Sequence, residues 1–106
     1  MSKKKVLVTG SSRGIGNSIL EFFLNDEFIP IGTATSSSGI EMIKKKLSDN
    51  NISGHALELD LNNTNSIENF FKNMKEEGLS PDILVNNAGI ARDNLMLRMS
   101  EQDWAE

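Results

Sequence analysis

Short apolar runs alternate along the chain with apolar residues at helical spacing. Val6-Leu7-Val8 is a largely β-branched run that ends at Thr9-Gly10, a pattern typical of a buried strand. Comparable runs predict strands over Phe28 to Thr35, His55 to Leu61 and Ile83 to Val85. Four short strands are therefore expected.

Three amphipathic helices are predicted between these strands. The first should run to about Asn25, the third should end at Gly78, and Ser100 should cap a fourth helix near the end of the chain. Each of the three has an apolar stripe at helical spacing. The stripes consist of Ile15, Ile19, Phe22 and Phe23 in the first helix, Ile40, Ile43 and Leu47 in the second, and Ile67, Phe70, Phe71 and Met74 in the third.

Alternating strands and helices with short connections predict parallel strands joined by right-handed crossovers. The expected fold class is α/β, a Rossmann-type doubly wound parallel sheet, of which this chain supplies the N-terminal half of about four strands. Ligands of such sheets bind beyond the carboxyl ends of the strands. We therefore expect functional residues just after Val8, Ile31, Leu59 and Val85.

Composition narrows the class of protein. A chain of 106 residues is long enough for one domain at most, and its proportions of apolar and charged residues are those of an ordinary globular protein. A net charge of −4 argues against a nucleic-acid partner, and no segment has the length of a membrane span. The absence of cysteine excludes disulfides and thiolate chemistry and is compatible with a cytoplasmic location.

A glycine-rich turn follows the first predicted strand. Gly10, Gly14 and Gly16 stand where a strand would pass into a helix. Residues without a Cβ allow positive φ and let the backbone approach a pyrophosphate, which the helix N-terminus attracts. Glycines at this spacing could also form a plain structural turn, but their position between strand and helix favours nucleotide binding.

The end of the second strand bears on the choice of cofactor. An NAD site places Asp or Glu there to hold the ribose 2′-hydroxyl. Here the stretch Gly32 to Ser38 contains hydroxyl side chains, and no acid precedes Glu41. Arg13 in the glycine turn can pair with a 2′-phosphate; a surface residue beside a polar loop is the less favoured alternative. The pattern favours NADP(H).

Polar residues also follow the third and fourth strands. Asp60 can accept a hydrogen bond from an adenine amino group while the next N–H caps the ring, or it can serve the following turn. Asn86-Asn87-Ala88-Gly89 can bring the backbone close to the nicotinamide ribose, and its Asn side chains can cross-link neighbouring strand ends. A plain turn is the alternative for this segment.

These motifs together resemble those of the short-chain dehydrogenase/reductase family. Within it, the stretch Asn86 to Trp104 and the segment Gly32 to Ser36 are similar to bacterial 3-oxoacyl-acyl-carrier-protein reductases. The resemblance implies one set of cofactor-binding residues. It consists of Gly10, Ser11, Ser12, Arg13, Gly14, Ile15, Gly16, Thr35, Asp60, Leu61, Asn87, Ala88 and Gly89.

The resemblance also implies an activity and partners. We expect an NADPH-dependent, cytoplasmic, homotetrameric oxidoreductase that reduces a β-keto acyl chain carried on acyl-carrier protein. The family's catalytic Ser, Tyr, Lys and Asn are expected beyond Glu106, and the chain contains no Tyr. Residues 1–106 should therefore be the NADP-binding portion of a single Rossmann domain, inactive by itself. The alternatives are another short-chain reductase, such as an acetoacetyl-thioester reductase, and a stand-alone nucleotide-binding module.

Overall fold

The computed structural model describes residues 3–12 and 14–87, which form a parallel sheet with helices on both faces. The elements are β1 (Lys4–Val8), α1 (Gly14–Phe22), β2 (Phe28–Ala34), α2 (Ser37–Asp49), β3 (His55–Glu58), α3 (Thr64–Glu76) and β4 (Ile83–Val85). The strand order is β3-β2-β1-β4, and every neighbouring pair is parallel. The predicted α/β architecture is confirmed. Because the chain moves outward from β1 to β3 and then returns to the other side of β1, a topological switch point lies between β1 and β4.

Side chains of β1 alternate between two hydrophobic cores. Leu7 faces the core that α3 covers, whereas Val6 and Val8 face the core that α1 and α2 cover. This division follows from the two-residue period of a strand. A sheet buried on both faces explains why β1 reads as a continuous apolar run.

The predicted stripe of α3 is confirmed, because all four of its apolar residues are buried. Gly78 ends the helix with a φ of 68°. Its N–H donates to the Lys75 carbonyl, and the Leu79 N–H donates to the Met74 carbonyl at 2.8 Å. This pairing is a Schellman motif, which requires the left-handed conformation that glycine adopts without strain. Leu79 is thereby placed in the core.

The prediction for α1 was wrong in two respects. The helix ends at Phe22 rather than near Asn25, because the next N–H groups donate to carbonyls three residues back, Phe23 to Leu20 and Leu24 to Glu21. The Asn25 side chain then accepts a hydrogen bond from the Glu27 N–H and starts a turn. Ile15 and Phe22 are also about three-quarters exposed, although both were expected in the buried stripe. The sheet of the described residues ends at β4 and offers these two side chains no surface to pack against.

Two strands are shorter than predicted. β2 ends at Ala34 rather than Thr35, and β3 ends at Glu58 rather than Leu61. The backbone leaves β3 because the Asp60 N–H donates to the Ser66 side chain instead of to a neighbouring strand. Leu59 and Leu61 are nevertheless buried in the core beneath α3. The predicted fourth helix at Ser100 lies outside the described residues.

Candidate functional site

A cavity of about 520 Å³ opens at the carboxyl ends of β1 and β2 and beside the segment that follows β3. This is the side of the sheet on which a ligand was expected. Its lining is rich in glycine and hydroxyl side chains. The lining residues are Gly10, Ser12, Ala34, Thr35, Ser36, Ser38, Gly39, Met42, Leu59, Asp60, Leu61, Asn62 and Asn87.

The glycines of the loop between β1 and α1 meet two different requirements. Gly10 and Gly14 have φ values of 62° and 65°, which other residues adopt only with strain. Gly16 instead lies where there is no room for a side chain. A Cβ at Gly16 would overlap the Gly10 carbonyl oxygen and lie 2.5 Å from Asn87 Nδ2. The first turn of α1 therefore packs directly on the end of β1.

Three hydrogen bonds hold the start of this glycine loop against β2. The Gly10 N–H donates to Thr33 Oγ1 at 3.0 Å, and the Ser11 N–H donates to the Thr33 carbonyl at 2.9 Å. The Thr33 N–H in turn donates to Ser11 Oγ at 3.1 Å. Both side chains are buried. Ser11 therefore uses its hydroxyl to fix the loop to β2.

The ends of β1 and β4 are joined by side chains. Thr9 Oγ1 accepts a hydrogen bond from the Asn87 N–H at 2.9 Å and donates to Asn86 Oδ1 at 3.2 Å. Asn87 Nδ2 donates to the Gly10 carbonyl at 3.3 Å. The predicted cross-link between strand ends by these Asn side chains is thus present in the structure. It fixes the switch point beside which the cavity lies.

Hydroxyl groups occupy the cavity wall at the start of α2. Ser36 caps the helix, since its Oγ accepts a hydrogen bond from the Gly39 N–H at 3.2 Å and lies 3.1 Å from Ser38 Oγ. Thr35 is exposed beside them. Among the described lining residues, only Asp60 has an ionisable side chain. This part of the wall is therefore polar without carrying a negative charge.

Asp60 stands at the far end of the cavity. Its Oδ1 accepts a hydrogen bond from the Asn62 N–H at 3.0 Å, so the carboxylate does serve the turn that follows β3. The side chain is half-buried and also lines the cavity. The two interpretations of Asp60 are therefore compatible, because a carboxylate can accept more than one hydrogen bond.

Residues 4–106 match the family described as short chain dehydrogenase. The chain belongs to this family. Relatives include 3-oxoacyl-(acyl-carrier-protein) reductases FabG from Vibrio cholerae, 48% identical over 103 residues, and from Haemophilus influenzae, 45% identical over 104 residues. The alignments cover 97% and 98% of this chain but 41% and 42% of the relatives, so the chain spans about two-fifths of their length.

A third relative has the same name and comes from Escherichia coli, with 45% identity over 101 residues, 95% of this chain and 40% of the relative. The resemblance to the short-chain dehydrogenase family is thereby confirmed. Within residues 3–12 and 14–87, no helix is long and apolar enough to cross a membrane. The same residues contain no cluster of three or more side chains suited to a metal ion.

The structure brings about half of the residues implied by the family resemblance to the cavity. Those that line it are Gly10, Ser12, Thr35, Asp60, Leu61 and Asn87. Ser11 and Gly16 are buried behind it, and Gly14 and Ile15 are exposed at the start of α1. Arg13, Ala88 and Gly89 lie outside the described residues.

Several residues that build the site were not predicted from the sequence. Met42 and Asn62 line the cavity, and Thr33 anchors the glycine loop. Ser36 and Ser38 belong to the stretch Gly32 to Ser38, whose hydroxyl groups were expected to favour NADP(H). The capping role of Ser36 was not predicted, although an N-cap serine followed by amphipathic spacing marks a helix start. No local pattern indicates the role of Thr33, since that role depends on the pairing of β1 with β2.

Proposed function

We propose that the cavity binds NADP(H) and that the chain is the cofactor-binding part of an NADPH-dependent 3-oxoacyl-acyl-carrier-protein reductase. The cofactor assignment rests on the part of the cavity wall that follows β2, because it presents serine and threonine hydroxyls and no carboxylate. A carboxylate at that position would hold a ribose 2′-hydroxyl and repel a 2′-phosphate. Hydroxyl groups can donate hydrogen bonds to a phosphate.

The described residues fit such a cofactor along the whole cavity. The pyrophosphate would lie at Gly10 and Ser12, near the start of α1, where a helix N-terminus favours an anion. The 2′-phosphate would lie near Thr35, Ser36 and Ser38. The sequence places Arg13 in the adjoining loop, and we assign to it the charge-assisted contact with that phosphate.

The adenine and nicotinamide ends would lie on either side of this position. Asp60 and Leu61 line the end of the cavity beyond β2 and would flank the adenine ring. Asn87 lies beside Gly10 at the switch point and, with Ala88 and Gly89, would line the nicotinamide ribose. The hydrogen bonds that fix Asn87 to β1 would hold this end of the site in a defined position.

The chemistry assigned to this chain is binding and orientation. The bound cofactor would supply the hydride for reduction of a carbonyl. A proton must also reach the carbonyl oxygen, and in the family that this chain resembles a Tyr side chain donates it. The 106 residues include no Tyr. We therefore propose that residues 1–106 alone do not reduce a substrate.

The substrate assignment rests on the relatives. Their names specify reduction of a 3-oxoacyl group on acyl-carrier protein, and their identity to this chain is 45–48% in the three cases given above. We extend that substrate class to the full protein and propose a β-keto thioester on acyl-carrier protein. A homotetrameric assembly and a cytoplasmic location are parts of the same proposal.

Turnover assays test the proposal. The full protein should oxidise NADPH in the presence of acetoacetyl-acyl-carrier protein, more efficiently than with NADH or with acetoacetyl-coenzyme A. Residues 1–106 alone should give no turnover above a protein-free control. Activity confined to the coenzyme A thioester would instead indicate an acetoacetyl-thioester reductase. Nucleotide binding by the full protein without turnover of either thioester would support a binding module.

A further inference from the structure

Gly39 lies where the first turn of α2 meets both the end of β2 and the glycine loop. A Cβ at this position would stand 2.7 Å from Ala34 Cβ and 3.2 Å from both Ser12 Cβ and Ser12 Oγ. Gly39 is buried and is not among the residues with positive φ. Glycine is therefore required here for space, not for backbone conformation. Glycine lets the first turn of α2 lie close to β2 and the glycine loop, although glycine weakens a helix by about 1 kcal/mol relative to alanine.

The contacts of Gly39 set the distance between the first turn of α2 and the glycine loop, two parts of the wall of the cavity. Gly39, Ala34 and Ser12 all line it, and they come from α2, β2 and the glycine loop, respectively. The Gly39 N–H also donates to the capping Ser36 Oγ, which lies next to Ser38 Oγ. A displacement of the first turn of α2 away from Ser12 would therefore carry both serine hydroxyls with it.

We infer that Gly39 is a positioning residue for cofactor discrimination, an inference that rests on the proposed binding of NADP(H). The absence of a side chain at residue 39 holds the hydroxyls of Ser36 and Ser38 at the distance from the glycine loop that fits a 2′-phosphate. A methyl group there would push α2 outward. NADP(H) would lose contacts to its 2′-phosphate, whereas NAD(H), which has no such phosphate, would be little affected.

The test compares Gly39→Ala with a matched control in the full protein. Gly54→Ala is the control, because a Cβ at Gly54 would lie 2.6 Å from the Pro30 carbonyl oxygen and 3.0 Å from a Leu47 methyl carbon, and Gly54 does not line the cavity. Dissociation constants for NADPH and NADH are measured by calorimetry, with thermal unfolding recorded for each variant. Gly39→Ala should weaken NADPH binding about tenfold and NADH binding less than about twofold, since small misplacements of binding groups are costly. Gly54→Ala should lower the melting temperature and leave the ratio of the two constants unchanged.

An exchange variant separates positioning from general damage. Ala34→Gly combined with Gly39→Ala removes the 2.7 Å contact and should restore most of the NADPH affinity. If Gly39→Ala does not fold, the NADPH and NADH affinities of this double variant test the inference instead. Equal loss of both cofactors in Gly39→Ala, or no recovery in the exchange variant, would overturn the inference. A wild-type protein that does not prefer NADPH would overturn the proposed function itself.

Discussion

The hydroxyl of Thr9 accepts a hydrogen bond from the backbone N–H of Asn87 at 2.9 Å, although the two residues are 78 positions apart in the chain. The contact joins the carboxyl ends of β1 and β4 at the point where the strand order reverses. Thr9 is fully buried, so its hydroxyl makes this bond out of contact with water. One threonine thus ties the glycine-loop strand to the strand that leads to the nicotinamide end of the proposed site.

Replacement of Thr9 by Val should destabilise the protein. The change keeps the shape of the side chain but leaves the Asn87 N–H without its acceptor, at a cost of about 1–3 kcal/mol. Urea denaturation of the full protein measures the loss. Thr64→Val is the control, because Thr64 is exposed at the start of α3 and should tolerate the change within about 0.5 kcal/mol. Equal stability of the two variants would show that the contact contributes little.

Two glycines of the loop should respond differently to substitution by alanine. Gly14→Ala meets no atom within 4 Å but must adopt a φ of 65°, which costs about 1–2 kcal/mol. Gly16→Ala brings a Cβ into the Gly10 carbonyl and should cost about 3 kcal/mol or more. Thermal unfolding followed by circular dichroism should therefore rank Gly16→Ala as the more damaging change. The reverse order would contradict the packing of α1 on β1.

A carboxylate placed after β2 should shift cofactor preference. Thr35→Asp in the full protein is expected to raise the ratio of kcat/KM for NADH to that for NADPH, because the new charge repels a 2′-phosphate. Arg13→Ala should weaken NADPH use by about 1.5–3 kcal/mol, the range for hydrogen bonds to charged groups. Ser53→Asp adds the same charge at an exposed position before β3 and controls for net charge. Ser53→Asp should keep the wild-type ratio; if Thr35→Asp and Arg13→Ala keep it as well, the 2′-phosphate lies elsewhere.

Residues 1–106 alone should fold poorly. Among the described residues, β4 is an edge strand, and Ile15 and Phe22 expose apolar side chains near Val85. Unpaired apolar edges and exposed apolar patches promote aggregation. Light scattering during thermal unfolding should show aggregation below the temperature of any cooperative transition. A soluble monomer with a sharp transition would contradict this expectation and favour a self-sufficient binding module.

Matched variants test whether the apolar patch causes that aggregation. Phe22→Glu should reduce the light scattering of residues 1–106 with little loss of stability, since Phe22 is 75% exposed. Phe23→Glu should destabilise the chain, because Phe23 is partly buried against the core and its ring packs edge-on against Phe28. An unchanged scattering signal for Phe22→Glu would assign the aggregation to the β4 edge.

Local sequence pattern was sufficient to predict the order of the elements and the side of the sheet that carries the cavity. The β-branched run of β1 and the stripe of α3 are buried as their spacing indicates. The pattern failed for Ile15 and Phe22, because periodicity identifies an apolar face without showing what covers it. It also failed at the end of β3, where the hydrogen bond between the Asp60 N–H and Ser66 redirects the backbone.

The site could be predicted only where its residues form a motif. Gly10, Asp60 and Asn87 follow strands and were expected at the cavity, where the structure places them. Thr33 and Gly39 act through partners distant in sequence. Thr33 holds the glycine loop across the β1–β2 pair, and Gly39 brings α2 close to Ser12. Such roles arise from tertiary packing, which no local pattern encodes.

The most direct test of the account is calorimetric titration of the full protein with NADPH and with NADH, followed by competition with 2′,5′-ADP and with 5′-ADP. We predict that NADPH binds at least about tenfold more tightly than NADH, the consequence of about 1.4 kcal/mol from contacts to the 2′-phosphate. 2′,5′-ADP should displace bound NADPH far better than 5′-ADP does. Equal or tighter binding of NADH, or equal competition by the two adenosine phosphates, would contradict the assignment of the hydroxyl-lined cavity to NADP(H).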